Sequence, residues 1–219
     1  MSLKALFYPG GTEENPCSFE SLYIPYIYRE IYFEGIYNDV TNQQKDMVVV
    51  DVGANIGVVT QYLRDFSKKV YAIEPSSEHF EALKKNKEFN KWDNVEVFNA
   101  AIADKDGEMT LNTNDANKTC HSLTLDYGQG GEKVKTIAFD TFFKDNKIDH
   151  VDFMKFDVEG AEDMILRSES FIKIAPMVQS IEVEFHHETW TELVKHMIKL
   201  GYEARRYDSS AIIVLFTRK

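Results

Sequence analysis

The stretch Met47 to Gly57 constrains the fold more than any other. Met47-Val48-Val49-Val50 is a short apolar run of mainly β-branched residues, the pattern of a strand buried on both faces of a parallel sheet. Asp51 ends the run. Gly53 and Gly57 permit a tight turn with close backbone approach, and Ile56 to Phe66 carries apolar residues at helical spacing. Strand, glycine loop and helix in that order frame a nucleotide-type pocket.

The loop chemistry narrows the ligand. A dinucleotide fingerprint reads Gly-x-Gly-x-x-Gly, its second glycine admitting a pyrophosphate; here that position is Asn55. A carboxylate (Asp51) and an amide instead suit a ligand carrying an ammonium and a sulfonium, as S-adenosylmethionine does. A second strand, Val70-Tyr71-Ala72-Ile73, ends in Glu74-Pro75, about 20 residues on, where an acid that holds ribose belongs. Its carboxylate can accept from both ribose hydroxyls.

Asp51-Val52-Gly53-Ala54-Asn55-Ile56-Gly57, Ala72-Ile73-Glu74-Pro75 and Lys155-Phe156-Asp157-Val158-Glu159-Gly160-Ala161-Glu162 together resemble the motif series of the FkbM-like S-adenosylmethionine-dependent methyltransferases. The resemblance runs from Val48 to Phe185. It implies a seven-stranded Rossmann-like α/β fold, mostly parallel with a C-terminal antiparallel hairpin. It also implies methyl transfer, usually to oxygen, with sugars and other small hydroxylated metabolites as acceptors.

Length and charge are consistent with this reading. A chain of 219 residues holds one α/β domain with small additions: a methyltransferase domain over residues 47–219, preceded by an aromatic-rich cap over 1–46. A net charge of −11 argues against nucleic acid as partner, since phosphate-driven binding needs a Lys/Arg footprint. The two cysteines, Cys17 and Cys120, form no metal-type pair and read as free thiols of a reducing compartment. No apolar run approaches the ~18 residues of a membrane span, and the start of the chain does not read as a signal peptide, so the expected location is cytoplasmic.

Further along, the helix after Glu74 opens at Ser76-Ser77-Glu78 and runs to about Asn90. A third strand, Val95 to Phe98, ends at Asn99-Ala100-Ala101, where adenine would lie: Asn99 for its exocyclic amine, Ala101 for room beside the ring. Asn112 to Thr124 reads as a polar excursion shaping the substrate opening, with His121 a solvated residue within it. Val134 to Phe139 reads as a strand, and Asp140 as the cap of a short helix ending at Lys144.

Val151 to Phe156 places Asp157 at a strand end beside Asp51 and Glu74, because ligands of open parallel sheets sit at carboxyl ends. Lys155 shares a face with Asp157 and is suited to pair with an acid there. Glu159 and Glu162 open the next helix, where acids favour the dipole; alternatively Glu159 contacts a substrate hydroxyl or is one of the oxygen ligands of Mg²⁺, a metal the sequence permits without favouring. Val178 to Phe185 ends in His186-His187, candidate general bases because imidazole titrates near working pH. Thr189 to Leu200 is an amphipathic helix closed by Gly201, and Glu203 to Tyr207 with Ala211 to Phe216 reads as a hairpin.

The expected reaction is in-line attack of a hydroxyl oxygen on the cofactor methyl. Asp51, Gly53, Asn55 and Gly57 hold the methionine end, Glu74 the ribose, and Asn99 with Ala101 the adenine. Asp157, Glu159, His186 and His187 are the ordered candidates for base. The rivals are a non-catalytic S-adenosylmethionine or partner binder on the same fold and, less well supported, an NAD(P)-dependent oxidoreductase. The tyrosines of the first 46 residues serve as a lid, a sheet-edge cover or a homodimer contact, with Glu34 to Tyr37 as one wall of the site.

Overall fold

The computed structural model describes residues 31, 35–41, 44–113, 121–125, 127–128, 130–186, 190–207 and 211–218. Strand β1 (Met47–Val52) leads through the glycine loop to helix α1 (Val58–Leu63), and β2 (Ser67–Ile73) to α2 (Ser77–Phe89) and β3 (Val95–Phe98). A side sheet of β4 (Ala101–Ala103), β5 (Gly107–Asn112) and β6 (Gly131–Ala138) follows, then α3 (Phe139–Asp145), β7 (Val151–Phe156), α4 (Glu162–Leu166) and α5 (Glu169–Ile174). Strand β8 (Val178–Phe185), helix α6 (Trp190–Lys199) and strands β9 (Tyr202–Arg206) and β10 (Ile212–Arg218) complete the chain.

The main sheet has seven strands in the order β3-β2-β1-β7-β8-β10-β9. Pairing is parallel from β3 through β8 and antiparallel around β10. The expected fold, terminal hairpin included, is the one found. Strand β1 explains its own position: Val50 and Val52 face one core with Phe139, Phe156 and Ile181, while Met47 and Val49 face the other with Leu83, Trp92 and Phe153. A strand covered on both faces has no use for polar alternation.

The order of strands reverses between β1 and β7, so the crevice opens where their carboxyl ends part. Ile31, Tyr37 and Val40 are buried in the same core as Phe153 and Leu215, so this part of the N-terminal segment is continuous with the domain. Most of the aromatic-rich cap over 1–46, and both cysteines, lie outside the described residues.

Several local expectations are corrected. Strand β3 spans Val95–Phe98 as expected, and the chain leaves it at Asn99, whose amide donates to the carbonyls of Glu74 and Pro75, both at 3.0 Å; Ala101, expected at the end of that strand, instead opens β4 in a different sheet. Asp140 does not cap α3. Ala138 holds the cap position and its N–H donates to Asp106 at 2.8 Å, while Asp140 binds Ser170 and Lys173. The glycine-loop helix stops at Leu63 and tightens into a 3₁₀ turn at Arg64–Phe66, where the Ser67 hydroxyl donates to the Leu63 carbonyl at 2.7 Å. Ser76, by contrast, is the N-cap of α2 as expected, accepting from the His79 N–H at 3.4 Å.

Candidate active site

Close approach at the topological switch depends on Gly53. Its φ is +78°, and a Cβ there would lie 1.8 Å from the carbonyl oxygen of Asp157; only glycine lets the β1 loop touch the end of β7. Gly57, at φ +91°, leaves room for Leu83 and the Trp92 ring. Asn55 takes the left-handed region at φ +50°, which asparagine tolerates better than most residues, and its side chain accepts from the Ile56 N–H at 2.8 Å.

Glu74 is locked against this loop. One carboxylate oxygen accepts from the Asn55 N–H at 2.8 Å and the other from the Ser76 N–H at 2.9 Å. Each oxygen keeps a second lone pair, so the fixed carboxylate suits a pair of vicinal hydroxyls such as those of a ribose. His79 lies 3.7 Å away and stacks on His121 with ring centroids 4.9 Å apart. His121 is therefore half-buried rather than solvated, and burial, then His79, lowers its pKa.

Beneath the loop runs a row of charge. Register pairs Asp51 with Lys155 and Lys155 with Glu182 across β1, β7 and β8, so three ionisable side chains share one face. The Lys155 ammonium donates to the Gly53 carbonyl at 2.9 Å and to Asp157 at 3.2 Å, and lies 3.8 Å from Asp51. Burial alone would lower the lysine pKa, but Asp157 and Asp51 outweigh it and raise the value. Asp51 is wholly buried and accepts from the Thr60 hydroxyl; burial pushes its pKa up, against Lys155 and Thr60. Glu182, buried beside Tyr37, is pushed up to about 8 by loss of solvent, despite Lys155 and a Tyr37 hydrogen bond.

A second cluster stands at the crevice itself. His186, at the end of β8, places Nε2 3.4 Å from Glu159 and 3.8 Å from Asp157, while Nδ1 lies 2.8 Å from Glu162. Burial opposes its charge, but the Glu162 hydrogen bond and then Asp157 and Glu159 push its pKa up to about 9. Glu159 is not in the helix: its φ is +52°, Gly160 follows at +102°, and α4 begins only at Glu162. The helix-dipole reading therefore applies to Glu162 alone. That left-handed turn is held from outside by the excursion, where the Ser122 hydroxyl donates to the Glu159 carbonyl and Thr124 to that of Gly160 at 2.9 Å.

The structure thus brings Asp51, Gly53, Asn55, Gly57, Glu74, Asp157, Glu159 and His186 to one end of the sheet. Asn99 and Ala101 flank it beyond β2, and His187 lies outside the described residues. Glu162, Glu182, Ser122 and Tyr37 join the site without having been singled out as ligands or bases. For Glu182 and Glu184 a signal existed: two acids alternating with Ile181, Val183 and Phe185 in β8, beside Lys155-x-Asp157 in the next strand, mark one polar face.

The geometry agrees with comparisons to known proteins. Residues 51–208 match the family described as the methyltransferase FkbM domain. "Methyltransferase 1" of the fungus Beauveria bassiana (strain ARSEF 2860) is 26% identical over 176 residues, covering 70% of this chain and 69% of that protein. The FkbM methyltransferase of Methylobacillus flagellatus KT has a similar fold, with a TM-score of 0.60 at 16% identity, over 87% of this chain and 47% of that one. A Streptococcus mutans protein solved with SAH gives 0.54 at 13% identity, over 84% and 96%, and an rRNA methylase of Streptococcus thermophilus 0.55 at 13%, over 83% and 93%. Among the described residues no helix is long and apolar enough to cross a membrane. With the family match spanning most of the chain and the glycine loop, Glu74 and the strand-end acids set at one switch point, this chain belongs to the FkbM family of S-adenosylmethionine-dependent methyltransferases.

Proposed function

We propose that the protein methylates a hydroxyl oxygen of a small hydroxylated acceptor, sugars included. The observation that carries this reading is the group of hydrogen-bond acceptors formed by Asp157 and Glu159, with His186 between them, at the same strand ends as Glu74 and Gly53. A wall of carboxylates welcomes hydroxyl donors and repels phosphate backbones. S-adenosylmethionine, when bound, supplies an electrophilic methyl on a sulfonium. Gly53, Asn55 and Gly57 line its methionine end, Glu74 receives the ribose hydroxyls, and Asn99 with Ala101 borders the adenine. Asp51, sealed below, supports the methionine end through the loop, via Thr60 and the lysine that holds the Gly53 carbonyl.

On the acceptor side, Asp157 is the first residue to orient the hydroxyl and take its proton, with Glu159 and His186 positioned around it and His187 next in the chain. Holding two partners in line supplies much of the rate. A screen of sugars, polyols, phenols, amines and RNA oligonucleotides, read by S-adenosylhomocysteine release, tests the proposal. Turnover of hydroxylated acceptors, falling roughly 100-fold or more in Asp157→Asn with cofactor affinity retained, supports it. Methylation confined to amines or RNA, or full turnover in the variant, overturns it.

A further inference from the structure

We infer that Asp157, Glu159 and His186 form a divalent-cation site, and that the acceptor binds through two adjacent oxygens to the same cation. This deepens the reading of the acceptor side given above and rests on it. One oxygen of each carboxylate and one imidazole nitrogen lie within 4.8 Å of one another, a separation that small side-chain movements close around one ion. The three come from the end of β7, the left-handed turn and the end of β8, so the cluster is made by tertiary structure rather than by an acidic run.

Two further observations point at a cation. The Lys155 ammonium binds one oxygen of Asp157 at 3.2 Å, yet the other, Oδ1, is sealed from solvent without a hydrogen-bond partner and lies 3.8 Å from His186 Nε2. Glu162, only 1% exposed, holds His186 Nδ1 at 2.8 Å through one oxygen, and its other oxygen is likewise buried without a hydrogen-bond partner. A carboxylate on Nδ1 is the outer-shell arrangement that directs Nε2 of a metal-binding histidine at its ion. Glu159 is held in reach by Ser122 and Thr124, which clamp the carbonyls of its turn.

The donor set also indicates the type of ion. Two carboxylates and one imidazole suit a first-row cation such as Mn²⁺ better than an ion confined to oxygen ligands. Three protein ligands leave about half of an octahedral shell for water and acceptor oxygens. A substrate with two neighbouring oxygens would fill two of those positions and present one of them to the methyl. The class of acceptor implied is a vicinal diol or hydroxy-carbonyl compound rather than an isolated alcohol.

The test is titration of EDTA-treated protein with Mn²⁺ in the absence of cofactor, followed by electron spin resonance for nitrogen coupling to the bound ion. Expected are one saturable site, a nitrogen signal lost in His186→Gln, and affinity at least 10-fold weaker in Asp157→Asn, Glu159→Gln and Glu162→Gln. Thermal melts check that each variant is folded. No Mn²⁺ binding by folded wild-type protein, or binding indifferent to all four changes, overturns the inference. The two readings fail distinguishably: EDTA-insensitive methylation of hydroxyls would remove the cation and leave the proposed function standing, whereas an Mn²⁺ site without hydroxyl methylation would remove the proposed function, and the acceptor's place on the cation with it, while leaving the ion site itself.

Discussion

At the scale of single residues, backbone geometry and buried charge set the sharpest expectations. Gly53→Ala places a methyl 1.8 Å from a backbone carbonyl at φ +78°. The left-handed conformation alone costs an alanine about 1–2 kcal/mol, and the clash adds to it by forcing the loop off β7. The variant is expected to lose S-adenosylmethionine binding in calorimetry and to unfold at lower urea.

Glu182 gives a pH signature. Its folded pKa of about 8 exceeds the ordinary 4.5, so the folded state binds more protons between those values. Its contribution is therefore intact below about pH 4.5 and is lost as pH rises toward 8, with a slope approaching 1.4 kcal/mol per unit for one full proton. Glu182→Gln should flatten that decline, melting above wild type at pH 8 and close to it at pH 5. Scans at the two pH values decide the matter.

Elements show which parts of the fold can be read directly and which cannot. The unit of β1, glycine loop and α1 is legible because strand, turn and helix each have their own local period, and Ser76 is legible because a cap acts over three residues. The side sheet is not. Ala101-Ile102-Ala103 is too short to show a pattern, and its partners in β6 lie 35 residues away, as in Ala101 with Thr136. The polar excursion was equally opaque, since its value depends on what it meets: Ser122 is fully buried, accepts from the Leu125 N–H at 3.0 Å and donates to the Glu159 carbonyl. Ser122→Ala leaves those buried groups short of a partner, at a cost of about 1–3 kcal/mol. Turnover should fall as the Glu159 turn loosens, while cofactor affinity in calorimetry stays near wild type.

For the molecule as a whole, Lys155 joins the pieces. Among the described residues it is the one buried lysine, bonded to the loop after β1 and to Asp157, with Asp51 on one neighbouring strand and Glu182 on the other. Removing one member of a buried ion pair typically costs 3–5 kcal/mol, because its partner is left as an uncompensated charge. Lys155→Met should be destabilised on that order in urea denaturation at pH 8. Part of the loss should return at pH 5, because burial already raises the Asp51 pKa and without the lysine protonation becomes easier still.

The sequence by itself determined the parallel α/β core, the glycine loop and the acids at strand ends, because periodicity, turn chemistry and the ends of apolar runs are local properties written in consecutive residues. Asp51, Glu74 and Asp157 could be placed at one end of a sheet on that basis alone. Only tertiary structure decided that Asp51 lies beneath the loop, that Lys155 joins three strands, and that His186 faces Glu159 and Glu162. Burial and charge at those positions arise from strand register and chain crossing, which bring together residues more than a hundred apart, as Lys155 and Gly53 are, and no local pattern encodes them.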